Sequence, residues 1–450
     1  MAELVPWRAL FYNSGIIPDL APIVTPPYDV ISPTQQAMFF DRHPYNVIRL
    51  ILPRPPGNNP DPESRYLQAA ADFAAWRRDN ILIRDTSPAL FFWETDFTLE
   101  GQTHTRRAVV GLLRLESFDR GVVRPHEKTF SAAKTDRFKL MQQVQAHLST
   151  VFALYPDRQD RVLTGLRQGL PESPLCVFED YEGSRHRFFR VTDTAALKAA
   201  SDGMAGLPIF IADGHHRYET ALAYQAWLQE KYPQASPQAS FNYVLMYLSN
   251  MSAPDLVIRP AHRLLDVRRL QHFDEEALLS RLPQFFHMTP LDLTASPLTA
   301  HAPEVGAALH QAGLAGTGLA VITPSRQAFI LRLKPGVMDG PLTAHIAPAL
   351  RKLDVVALNF LIFEHAMGLS SQEQDDEETF QYASTVAGAL EALEQGKINL
   401  AFLLNPTLIQ QVQEVASSGL IMPRKSTYFY PKVPVGLVIH PIDPQEEVGL

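Results

Sequence analysis

Cysteine is almost absent from this sequence: Cys176 is the single one in 450 residues. No internal disulfide can form, which fits a reducing, cytoplasmic setting. Long apolar runs are missing as well. None reaches the roughly 20 residues of a membrane-spanning helix, and the opening MAELVPWRAL lacks the apolar core of a signal peptide. Positive charge is not in excess. Against 48 Asp and Glu stand 40 Lys and Arg, a net charge of −8, which speaks against a protein whose main work is coating nucleic acid. Neither a solenoid repeat nor a sustained heptad is visible.

What is present is an ordinary globular composition, 46% hydrophobic and 20% charged, in a chain long enough for two or three domains. Its 36 prolines imply many ordered turns. Residues 62–79 and 133–149 read as helices. ALFFWETDF (89–97) and RRAVVGLLRLE (107–116) read as a hairpin closed across Glu100-Gly101. Further strands are expected at TVFALYPD, PESPLCVFED, RHRFFRV, LPIFIADG, NYVLMYLSN and DLVIRPAHR, with an amphipathic helix over 217–232. Beyond residue 270 the pattern predicts helices over 274–282, 302–312, 345–367 and 376–395. It predicts strands over 318–323, 328–333, 399–405 and 435–440. Helices and strands mix throughout, so the class is α/β (mixed α+β).

One stretch concentrates chemistry. In PIFIADGHHRY (208–218) an apolar strand stops at Asp213-Gly214, and His215, His216 and Arg217 open a helix. A helix start presents backbone N–H groups and a positive dipole end to an anion. Gly214 permits close approach or a positive φ, and Arg217 can fork onto a phosphate. Asp213 would repel a phosphate unless it holds a cation, which describes a phosphoryl site with a divalent ion at Asp213. The plainer reading is that Asp213 caps the helix and the histidines are surface residues. Two adjacent histidines face different sides of a helix, so they do not form a metal pair by themselves.

A second cluster, VVRPHEKTF (122–130), packs His126, Glu127, Lys128 and Thr129 behind Pro125. A glutamate between His and Lys on a loop suits a general base; a solvated turn with local ion pairs is the alternative. A third, RKSTYFYPK (424–432), offers Lys425, Ser426 and Lys432 on a cationic, hydroxyl-rich loop able to hold a phosphate or carboxylate. His262 and Arg263 follow the Pro260 turn and are candidates for the same cleft. The substrate side would then comprise Lys128, Thr129, His262, Arg263, Lys425 and Ser426.

The pairing of PHE (125–127) with a downstream strand-DGHHR-helix resembles the free serine kinases of the ParB/sulfiredoxin-like fold. That resemblance implies a nucleotide-binding core over 115–268, with added α/β regions at 1–114 and 269–450. It implies that Glu127, with His126 beside it, is the catalytic base. It also implies that Asp213, Gly214, His215, His216 and Arg217 hold the phosphates of ATP or ADP with Mg²⁺. The expected activity is phosphotransfer to a small hydroxyl compound, free L-serine being the best guess. The alternatives are a slowly hydrolysing nucleotide switch and a phosphoserine hydrolase. Sulfiredoxin chemistry needs a cysteine where His215 stands, and Cys176 lies well upstream. Over its whole length, through PPYDVIS, HPYNVIRL, IRPAHRLL, AFLLNPT and MPRKSTYFYPK, the chain resembles a bacterial and archaeal family of unknown function.

Overall fold

A computed structural model describes the chain except for residues 58–60, 129–130, 295–296, 375, 377 and 450, and the side chains of 131–132. Thr129 therefore lies outside the described residues. Two compact units form. The first comprises Met1–Pro125, Thr129–Leu256 and Pro431–Leu450; the second comprises His126–Lys128 and Val257–Tyr430.

The first unit is built on a nine-stranded mixed sheet. Its strands are β1 (Leu4–Val5), β2 (Leu90–Leu99), β3 (Gln102–Arg114), β4 (Val123–Arg124), β5 (Val151–Tyr155), β6 (Cys176–Glu179), β7 (Arg185–Val191), β8 (Ile209–Asp213) and β9 (Tyr243–Asn250). Their order is β4-β8-β5-β9-β3-β2-β7-β6, with β1 beside β3. The β2–β3 hairpin turns at Glu100 and Gly101, both at positive φ, the twist that a two-residue hairpin loop needs. All eight residues of β9 are buried, as expected of a strand covered on both faces. On one face Val244, Met246 and Leu248 join Leu163, Leu197 and Tyr218 from helices. A separate core gathers Ile23, Phe39, Trp76, Leu140 and Ile439.

The second unit holds a six-stranded sheet of β10 (His262–Leu265), β11 (Phe286–Leu291), β12 (Gly318–Ile322), β13 (Ala328–Leu333), β14 (Phe380–Ala383) and β15 (Leu400–Leu404), in the order β11-β13-β12-β15-β10-β14. Period-two alternation splits its residues between two cores. Leu319, Val321, Leu400 and Phe402 belong to one, and Ala320, Ile322, Ala401 and Leu403 to the other.

Several sequence expectations need correction. The helix expected over 345–367 breaks into Pro348–Arg351, Asp354–Ala357 and a π-helix over Leu358–Ala366, because Leu353 is extended between the first two. Within 376–395, the aromatic Phe380 and Tyr382 favour a strand. Phe380–Ala383 pairs with β10, and the helix starts only after Thr385, whose hydroxyl caps it. DLVIRPAHR is divided at Pro260, which has no N–H for a ladder, into Val257–Arg259 and β10. Over 435–440 only His440 enters a strand; Val435 and Ile439 make single bridges to Thr25 and Leu10. No helix among the described residues is long and apolar enough to cross a membrane.

Candidate functional site

β8 carries the Asp213 motif. Its residues Ile209 to Ile211 are fully buried and hold the strand between β4, which runs parallel, and β5, which runs antiparallel. The register shifts between Ile211 and Asp213, a bulge that re-aims the strand end. Gly214 follows at φ +93° and is the N-cap of the helix His215–Lys231. A Cβ at Gly214 would lie 2.8–3.0 Å from the Arg217 guanidinium, so any other residue is strained by the positive φ and must also displace that guanidinium.

No side chain caps this helix start. Asp213 stands one residue too early for that role and is engaged elsewhere. One carboxylate oxygen pairs with Nζ of Lys432, and the other accepts from Arg217 at 2.5 Å. Arg217 also donates to the carbonyl of Thr150. Burial would raise the carboxyl pKa of Asp213, but the Lys432 ammonium and the Arg217 guanidinium outweigh it and hold the group ionised, below the usual carboxylate range. His215 is buried and His216 half-buried, as expected for neighbours on different faces of one helix.

Beside this turn the first unit has a pocket lined among others by Tyr28, Arg137, His147, Ser149, Arg217 and Thr220. The Arg137 guanidinium lies 4.2 Å from the ring centre of Tyr28 and is bound to Asp136 at 2.7 Å. The Thr220 hydroxyl is buried without a hydrogen-bond partner among the described residues. Two guanidiniums, three hydroxyl groups and the apolar Ile51, Leu140, Met141 and Leu148 suit a ligand with an anionic end and a flat apolar part. Arg137 gave no signal in the sequence because it lies within an ordinary helical pattern. Lys432 was legible only as part of a loop able to hold a carboxylate, which turns out to be that of Asp213.

The remaining described candidates sit in the second unit. His126 is fully buried, with Nε2 3.0 Å from the Thr427 hydroxyl. Glu127 is half-buried and bridges to Met422, and Lys128 is exposed. His262 is buried in β10 and its Nδ1 accepts from the Leu404 amide at 3.2 Å. Burial lowers its pKa to about 3, so it is neutral. Arg263 is buried and donates to the carbonyls of Ala261, Arg424 and Lys425. Ser426 is buried and donates to the Pro423 carbonyl at 2.6 Å, while Lys425 takes a positive φ. The structure thus gathers the Asp213–Arg217 residues in one unit and the described members of the Glu127 and substrate-side set in the other.

Comparison with protein families finds a match over residues 4–356 to the model described as a protein of unknown function, DUF1015. The chain belongs to the DUF1015 family. Among solved structures, this DUF1015 member is similar to a conserved hypothetical protein from Pyrococcus furiosus, at 12% identity and TM-score 0.34, covering 74% of this chain and 94% of that one. It is also similar to a free serine kinase in complex with AMP, at 12% identity and TM-score 0.35, with 73% and 91% covered. A third is SbnI with a C-terminal truncation from Staphylococcus aureus, at 9% identity and TM-score 0.32, with 73% and 85% covered. Comparison with curated proteins finds no match. At such low similarity the reading of the site rests on its own residues.

Proposed function

We propose that this DUF1015 protein is a nucleotide-dependent phosphotransferase acting on a small hydroxyl compound, with free L-serine the best candidate. The observation that carries the reading is the turn at Asp213–Arg217. A bulged strand end, a left-handed glycine and a helix start without a side-chain cap meet two cations, Arg217 and Lys432, already gathered on one carboxylate. Incoming phosphate oxygens compete with Asp213 for those cations, while the helix N-terminus supplies backbone donors. His215 and His216 are proposed as further donors, and the neighbouring pocket at Tyr28, Arg137 and Thr220 is proposed to face the remainder of the ATP or ADP.

Glu127 is proposed as the general base within the stretch 115–268, whose Pro-His-Glu and Asp-Gly-His-His-Arg motifs resemble those of free serine kinases. It takes the proton of the acceptor hydroxyl, whose oxygen attacks the terminal phosphorus. The bond from that phosphorus to the bridging oxygen breaks, leaving the shortened nucleotide and a phosphate monoester. His126 is proposed to position the segment through Thr427. Lys128, Thr129, His262, Arg263, Lys425 and Ser426 are proposed for the acceptor side.

The protein residues at the turn are not a ready Mg²⁺ site. Asp213 has both oxygens occupied by cations, and no cluster of three or more His, Cys, Asp or Glu side chains is suited to a metal among the described residues. A magnesium ion carried in on nucleotide phosphates would have to displace Lys432 or Arg217 to reach it.

The test is incubation with ATP or with ADP, plus L-serine and Mg²⁺, followed by ³¹P NMR. Formation of O-phosphoserine, lost in Glu127→Gln, is expected. Nucleotide breakdown to free phosphate with no phosphoserine would contradict the transferase reading.

A further inference from the structure

Arg106 stands on β3 and is 2% exposed. The chemistry proposed above makes no use of it, although burying a guanidinium costs free energy. Its contacts show what that guanidinium holds. Its central carbon lies 5.0 Å from the ring centre of Phe152 and 5.3 Å from that of Tyr247, within the range of cation–π attraction. Its Nε–H donates to the Tyr247 hydroxyl at 2.9 Å, and a terminal N–H donates to the Pro431 carbonyl at 2.7 Å.

These contacts reach the Asp213 turn from two directions. Across the sheet, Asp213 on β8 is in register with Phe152 on β5, and Phe152 with Tyr247 on β9. Residues paired in this way are side-by-side neighbours on the sheet. The two rings at the Arg106 guanidinium therefore belong to the row that ends in Asp213. Along the chain, Pro431 immediately precedes Lys432, whose Nζ pairs with Asp213. The peptide unit joining Pro431 to Lys432 is planar, so fixing its carbonyl fixes the plane from which Lys432 departs. Further on, Val435 exchanges backbone hydrogen bonds with Thr25, at 2.8 and 3.2 Å. Lys432 thus lies on a short irregular stretch fastened at both ends. A methionine at position 106 could fill space against the rings, but it could hold neither acceptor.

We propose that Arg106 is a positioning residue: it anchors the Pro431 carbonyl to the sheet row of Asp213 and so holds the Lys432 ammonium against the Asp213 carboxylate, as the second cation of the turn. That Lys432 then meets nucleotide phosphate rests on the phosphotransferase reading; its placement by Arg106 does not.

The experiment is acetylation of the full chain by limiting acetic anhydride, without nucleotide, with the rate at each lysine read by mass spectrometry. In the wild type, Lys432, whose side chain is 11% exposed, should react far more slowly than Lys198, at 69%. In Arg106→Met the rate at Lys432 should rise about tenfold or more, the scale of a lost charged hydrogen bond. Lys134 and Lys198, in the same unit, should keep their rates, whereas a merely structural role would speed all three together or none. Arg106→Lys keeps the charge but loses the planar fork; it should also release Lys432, and it serves if the methionine variant does not fold. A wild-type Lys432 as reactive as Lys198, an unchanged Lys432 rate in a folded variant, or an equal rise at all three lysines would overturn the proposal. Calorimetric titration of ADP is the second arm. Arg106→Met should weaken ADP binding about as much as Lys432→Met does, and the double variant should be no weaker than Lys432→Met alone, because residues that act through one another do not add. Fully additive losses would contradict a role through Lys432. If the wild type binds no ADP, the phosphate reading fails, while the labelling rates still decide the placement of Lys432.

Discussion

Lys432 closes an ion pair on Asp213 across 219 residues of sequence, and Arg217 holds the other oxygen of the same carboxylate from one helical turn away. The C-terminal stretch of the first unit therefore returns to the motif that opens the helix His215–Lys231. Removing Lys432 leaves a buried carboxylate with one cation. Lys432→Met should cost about 1–3 kcal/mol, the penalty for leaving a charged group partly unsatisfied. The carboxyl of Asp213 should then titrate higher. A depressed carboxyl pKa stabilises the fold above the unfolded value near 4 and loses that contribution as pH falls through the folded value. Urea unfolding of the wild type should thus lose this contribution as pH falls below about 4, and the variant, whose carboxyl is less depressed, should lose less stability over the same range.

His147 and His440 stack with ring centres 5.6 Å apart and planes 5° from parallel. Burial lowers their pKa values to about 3 and about 4. The folded state therefore keeps them neutral, while the unfolded chain takes up protons below about pH 6.5. Stability should fall as pH drops from about 6.5 toward 4, by up to about 1.4 kcal/mol per pH unit for each histidine. His440→Gln should flatten that slope. A wild-type unfolding free energy that stays level between pH 6.5 and 4.5 would contradict this account.

Gly214→Ala places a Cβ at φ +93° against the Arg217 guanidinium. The backbone strain is worth about 1–2 kcal/mol, and Arg217 must move. Thermal unfolding should show a lower Tm, and nucleotide affinity should fall with it. An alanine variant with unchanged Tm and affinity would show that the turn tolerates a side chain.

Glu127→Gln removes the proposed base while keeping the shape of the side chain. Turnover should fall by about 10²–10⁴, with nucleotide affinity unchanged. Steady-state kinetics alongside calorimetry separates the two quantities, and a variant that retains full turnover would exclude Glu127 as the base.

Much of the local structure was legible because local rules decide it. The Glu100-Gly101 turn, the buried run of β9 and the strand-to-helix step at Asp213-Gly214 all follow from patterns a few residues long. The π-helix was not legible, because LNFLIFEHA has the apolar content of any buried helix and its winding is set by packing. The strand Phe380–Ala383 was hidden by helix-forming residues on both sides, and its pairing partner β10 lies over a hundred residues away. The same distance limit explains the site. The residues of DGHHR announced themselves, whereas the Lys432 partner of Asp213 and the contribution of Arg137 to the neighbouring pocket depend on contacts that folding alone creates.

The most direct test of the central claim is calorimetric titration of ADP and ATP into the wild-type protein and into Arg217→Ala. The phosphate-binding account predicts saturable nucleotide binding to the wild type, weakened in the variant by about 1.5–3 kcal/mol, the scale of a charged hydrogen bond. Equal affinity in a folded Arg217→Ala protein, or no nucleotide binding by the wild type, would contradict it.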